Sequence, residues 1–140
     1  MTQRANVVLE TVEGNSNRLI VRFESGASMP LDSPSGAGGP TPVEAVLAAL
    51  GGCTAIDVIG ILRKKRQTVL GYEVVVEGQR REEHPRLFTR IEVIHRVRGR
   101  DLSPVALDEA IRLSDTKYCS VHANLAGTAE IVSRFEIIPA

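Results

Sequence analysis

Residues 41 to 66 read Thr41-Pro42-Val-Glu44-Ala-Val-Leu-Ala-Ala-Leu-Gly51-Gly52-Cys53-Thr54-Ala-Ile-Asp57-Val-Ile-Gly-Ile-Leu-Arg63-Lys64-Lys65-Arg66. The stretch opens as a helix should. Thr41 suits the N-cap, Pro42 the first helical position, and Glu44 the place where a capping box sets its carboxylate. No charged residue follows until Asp57, and the basic cluster Arg63–Arg66 falls where the helix dipole favours cations. A helix running to about Arg66 is on the order of 36 Å long at 1.5 Å per residue. It is apolar on nearly every side, so other elements or a partner subunit must enclose it. The Gly51-Gly52 pair costs such a helix roughly 1–2 kcal/mol. It therefore marks either a close backbone approach or a local loosening.

Working outward, the flanking segments alternate as strands do. Upstream, Ala5, Val7, Leu9 and Thr11 share one side; after a turn composed of Glu13-Gly14-Asn15, Leu19, Val21 and Phe23 repeat the pattern. A shorter strand is expected near Ala27–Leu31. Ser33–Pro40 is rich in Gly and Pro and reads as a mobile loop. Downstream, Tyr72, Val74 and Val76 alternate with Glu73, Glu77 and Gln79, and Leu87, Ile91, Val93 and Val97 with Arg90, Glu92, Arg96 and Arg98. The charged Arg80–Pro85 run between them suits a hairpin tip. Ser103-Pro104 starts a second helix with Leu107, Ala110, Ile111 and Ser114 on one face, and a short segment carries Cys119. A last strand alternates Ala129, Ile131, Phe135 and Ile137 with charged residues. With no repeat and no long linker, residues 1–140 are expected to form one α+β domain with a largely antiparallel sheet.

Composition narrows the function. The 17 basic residues balance 17 acidic ones, which offers nothing to nucleic acid or to an anionic membrane. The opening Met1-Thr-Gln-Arg-Ala-Asn lacks a signal-peptide core, and glycines and Arg63–Arg66 interrupt the longest apolar stretch. Neither secretion nor a membrane span is expected, and a cytoplasmic location is the default. In that compartment Cys53 and Cys119 are expected as free thiols rather than a structural disulfide. They stand 66 positions apart, outside CxxC and zinc-knuckle spacing. Buried cysteine is also common simply as a small hydrophobe. His84, His95 and His122 form no local ligand cluster with them, so no metal or other cofactor is expected. Asp57 lies one helical turn from Cys53 and would raise its pKa if it faced the sulfur.

Taken together, the Gly-rich loop, Thr-Pro-Val-Glu44 followed by Ala-Val-Leu-Ala-Ala-Leu-Gly-Gly-Cys53-Thr, and the later Tyr118-Cys119-Ser120-Val121 resemble the two signatures of the OsmC/Ohr family, the osmotically inducible and organic-hydroperoxide-resistance proteins. The order of elements is similar over nearly the whole chain. The resemblance implies a curved sheet around a long central helix, in an intertwined homodimer with thiol sites near the subunit interface. It also implies that Gly51-Gly52 serves close helix approach. The activity it implies is a cysteine peroxidase acting on organic hydroperoxides. In it Cys53 forms a sulfenate, Cys119 resolves this as a Cys53–Cys119 disulfide, and an external dithiol reduces the disulfide. Glu44 would hold the activating arginine. Ser33–Pro40 contains no arginine, however, and Arg18 and Arg22 upstream read as solvent-side residues of a strand. A thiol-containing binding or redox-sensing module without turnover is the alternative on the same fold.

Overall fold

The computed structural model describes residues 1–10, 14 and 16–140. The expected places of Thr11, Glu13 and Asn15 lie outside the described residues. The chain divides into two compact units, Met1–Val46 and Leu47–Ala140.

In the first unit, β1 (Ala5–Leu9), β2 (Leu19–Phe23) and β3 (Ser28–Leu31) form an antiparallel sheet in that order. Val7 sits opposite Val21, and Val21 opposite Met29. Val21 is buried, but every residue of β1 is exposed, Val7, Val8 and Leu9 included. The Gly- and Pro-rich run that reads as a mobile loop is in fact tied to Asp32. That buried carboxylate accepts hydrogen bonds from the Ser33 N–H at 2.7 Å and the Gly38 N–H at 2.9 Å. A Cβ at Gly36 or Gly38 would collide with it. Glycine here provides close approach, a demand that composition alone does not separate from mobility. Arg18 is likewise corrected. It lies just ahead of β2, where Nε donates to the Gly38 carbonyl at 2.7 Å and Nη1 pairs with Glu10. The capping box forms as expected: Thr41 N–H donates to Glu44 Oε1 at 2.9 Å, and Glu44 N–H to Thr41 Oγ1 at 3.2 Å.

The helix α1 spans Pro42–Lys64. It closes in a Schellman motif, with Arg66 N–H bonded to the Arg63 carbonyl and Gln67 N–H to the Leu62 carbonyl. Arg66 takes the left-handed conformation usual for glycine there, at φ 57°. In the second unit β4 (Thr68–Arg80) and β5 (Phe88–Arg100) form the expected hairpin, and β6 (Glu130–Pro139) pairs parallel to β5. The crossover that a parallel pair requires is made by α2 (Pro104–Leu113), a π-helical turn (Ser114–Tyr118) and α3 (Ser120–Leu125). Ser103 caps α2 by accepting from Ala106 N–H at 3.2 Å. The chain is therefore α+β, with three of the four strand pairings among the described residues antiparallel.

Leu50, Thr54, Val58 and Leu62 recur every fourth residue and form the buried stripe of α1, with Gly51 beside it. Val58 and Leu62 join Val97, Leu107, Ala110 and Ile111 in one core cluster; Leu50 joins Ile91, Val93, Cys119 and Ala129 in another. Gly51 marks tight packing on β4, since a Cβ there would lie 2.9 Å from a Val76 methyl. Gly52 faces open space, and Ile56 on the same outer side is 73% exposed. By length and composition alone α1 is apolar enough to cross a membrane. Its inner stripe nevertheless belongs to the two clusters of the core.

Candidate functional site

The second unit brings the two cysteines together. Cys53 is half-buried on α1 and packs against the cluster that contains Cys119. Cys119 is positioned by the π-helical turn, whose wide ring closes through a 2.8 Å bond from Cys119 N–H to the Ser114 carbonyl. π-Turns of this kind occur frequently at functional sites. Leaving the turn, Cys119 becomes the N-cap of α3, and its Sγ accepts the His122 N–H at 3.3 Å. Both thiols are free. Their sulfurs and an oxygen of Asp57 all lie within 4.8 Å of one another. The i+4 carboxylate thus does face the sulfurs.

Asp57 is held there by Ser114, the buried first residue of the turn. The Ser114 hydroxyl hydrogen-bonds Asp57 Oδ2 at 3.0 Å and Thr54 Oγ1 at 2.9 Å. Among the described residues no lysine, arginine or histidine forms an ion pair with Asp57. His122 turns its ring to Asp115 instead, with Nδ1 at 3.4 Å from Oδ1. Burial first, then the neighbouring Cys53, push the Cys119 thiol up to about 11, against the opposing pull of the His122 N–H.

A second buried pair adjoins this group. The Tyr72 hydroxyl and His95 Nδ1 lie 2.6 Å apart, and His95 is fully buried with Nε2 unpartnered. Burial lowers the His95 pKa to about 4. Burial and the charges of Asp115 and Asp57 raise that of Tyr72. Tyr72 also lines an open apolar groove of about 430 Å³ with Leu47, Gly51, Gly52, Val74 and Val76.

Of the residues singled out from the sequence, Cys53, Cys119 and Asp57 meet. Glu44 belongs to the first unit, where Thr41 takes both of its capping bonds and holds its carboxyl below the usual range. Ser114, Tyr72 and His95 carry no sequence signal that marks them as site residues. Ser114 reads only as one position on a helix face, and nothing in its spacing signals that a π-turn carries it to Asp57.

Residues 34–134 match the family model described as OsmC-like protein. The chain belongs to the OsmC-like family. A curated relative, Protein YhfA of Escherichia coli K12, is 47% identical over 116 residues, covering 83% of this chain and 87% of the relative. The crystal structure of a hypothetical protein from Aquifex aeolicus is 27% identical and superposes with a TM-score of 0.87, covering 100% of this chain and 98% of that one. The organic hydroperoxide resistance protein OhrB of Bacillus subtilis shares the fold at 13% identity, with a TM-score of 0.62 and coverage of 97% and 98%. The family resemblance read from the two cysteine segments is thereby established.

Proposed function

We propose that this protein is a cytoplasmic, homodimeric peroxidase that reduces organic hydroperoxides through Cys53 and Cys119. The proximity of the two sulfurs carries the reading: residues 66 positions apart in sequence stand within 4.8 Å. Cys53 as thiolate attacks the terminal peroxide oxygen. The O–O bond breaks, the alkoxide leaves as alcohol after taking a proton, and Cys53 becomes a sulfenic acid. Cys119 as thiolate then attacks the sulfenic sulfur, the S–O bond breaks, the hydroxide leaves as water after taking a proton, and a Cys53–Cys119 disulfide forms. Closing from a separation of at most 4.8 Å to a bond of about 2.05 Å draws the two sulfurs together, one of them carried by the chain around Cys119. That chain is a π-turn followed by a six-residue helix. An external dithiol returns both thiols.

The apolar groove beside Gly51 and Gly52 offers a surface for the organic part of the substrate. Glu44 enters from the family resemblance, as the residue that orients the activating group. The dimer is supported by the exposed apolar residues of β1 and by the open outer side of α1. With an alkyl hydroperoxide and a dithiol, Cys53→Ser should abolish turnover. Cys119→Ser should still consume one peroxide per chain and then stall. Full turnover by Cys53→Ser would sink the reading.

Asp57 and the high pKa of Cys119 favour a second reading, a thiol-containing binding or redox-sensing module without turnover. A carboxylate is a poor neighbour for a nucleophilic thiolate. In that case the wild-type chain would show no dithiol-dependent peroxide loss at all.

A further inference from the structure

We propose that the reduced chain binds one thiophilic divalent cation, Zn²⁺, through Cys53 Sγ, Cys119 Sγ and the Asp57 carboxylate, leaving a fourth position for water. Three observations support this. First, the three donor atoms already converge within 4.8 Å, from a helix position, its i+4 neighbour and the residue that follows the π-turn. A tetrahedral site with Zn–S about 2.3 Å and Zn–O about 2.0 Å places its donors about 3.5–3.8 Å apart. Rotation of short side chains covers the difference. Second, the donor set is two sulfurs and one oxygen, the mixture that borderline-soft Zn²⁺ accepts and hard Mg²⁺ or Ca²⁺ does not. Third, Asp57 is half-buried and oriented at the sulfurs, with no cationic side chain paired to it among the described residues. The Ser114 hydroxyl fixes one of its oxygens as an outer-shell partner would. A cation supplies the countercharge that the cluster lacks.

Sequence spacing argued against a metal because it looks for neighbouring ligands; here the fold assembles them. The inference needs only the reduced pair, so it holds whether or not the pair turns over peroxide. The peroxide assays above, run with a chelator, keep the two questions separate.

The test is titration of the anaerobically reduced full chain with Co²⁺, followed by displacement with Zn²⁺. One Co²⁺ per chain should bind, with a thiolate-to-cobalt charge-transfer band in the near ultraviolet and intense tetrahedral bands in the visible. Zn²⁺ should bleach both. Cys53→Ser and Cys119→Ser should each weaken the thiolate band and the binding. Asp57→Asn should weaken binding at least about tenfold, the lower end of effects seen even for outer-shell partners. X-ray absorption of the wild-type Zn²⁺ complex keeps the question open to refutation if a variant misfolds: two sulfur scatterers plus oxygen or nitrogen are expected. A shell without sulfur, a shell of sulfur alone, absence of stoichiometric binding, or unchanged affinity in a folded Asp57→Asn would each overturn the proposal.

Discussion

His95 and Tyr72 show how much depends on single atoms in this unit. With a pKa near 4 in the fold against an ordinary 6.5, His95 is neutral at physiological pH. A depressed folded value means that its contribution to stability is fully present above about 6.5 and is lost as pH falls toward 4. Thermal melts should therefore fall across that window, and the His95 ring should show no titration between pH 5 and 8 by NMR. Tyr72→Phe removes the hydrogen bond that a fully buried imidazole makes at Nδ1. It should cost about 1–3 kcal/mol in denaturant unfolding. For Cys119 the sign is opposite. Its thiol is held up to about 11 from an ordinary 9, so the stability it contributes is present below about 9 and lost as pH rises toward 11. Alkylation of Cys119 in the reduced protein should accordingly climb with pH and reach its midpoint near 11; a midpoint at the value of a free cysteine would contradict the burial of this thiol.

Among the elements, the ends of the helices are the most readily tested. Arg66 occupies a left-handed position that costs a residue with a Cβ about 1–2 kcal/mol. Glycine there gives back part of this through unfolded-chain entropy. Arg66→Gly should therefore stabilise the protein by about 0.5–1 kcal/mol, read as a higher denaturation midpoint with an unchanged slope. These ends are also where the sequence is most legible. Thr41-Pro42-x-Glu44 and Ser103-Pro104 announce α1 and α2, and both caps form with the expected partners. The strand pattern is equally readable, because period-2 alternation reflects one buried face. The β4–β5 hairpin is readable too, from the charged Arg80–Pro85 tip, but the partner of β6 is not. The parallel β5–β6 pairing depends on a crossover built from α2, the π-turn and α3, and the π-turn leaves no periodic mark in Ser114–Tyr118. The same turn explains why the site was only half legible. Cys53 and Cys119 stand out by residue type and family signature, whereas Ser114 and the convergence of Asp57 on both sulfurs exist only once that turn is folded.

For the molecule as a whole, the surface it leaves apolar matters most. All five residues of β1 are exposed, and Val7, Val8 and Leu9 retain between 42% and 55% of their accessible surface. An isolated sheet edge of this kind invites association. Light scattering should give twice the chain mass, and Val8→Glu with Leu9→Glu should halve it while leaving the far-ultraviolet circular dichroism of the second unit's helices in place. The proposed peroxidase chemistry takes place within one chain, and a single turnover reveals it. Reduced protein, freed of dithiol and metal, is mixed with one equivalent of an alkyl hydroperoxide, quenched with an alkylating agent, and digested for mass spectrometry. One alcohol should be released per chain, with a Cys53-containing peptide crosslinked to the Cys119-containing peptide; peroxide left unconsumed with both thiols alkylated would rule out peroxidase chemistry at this pair.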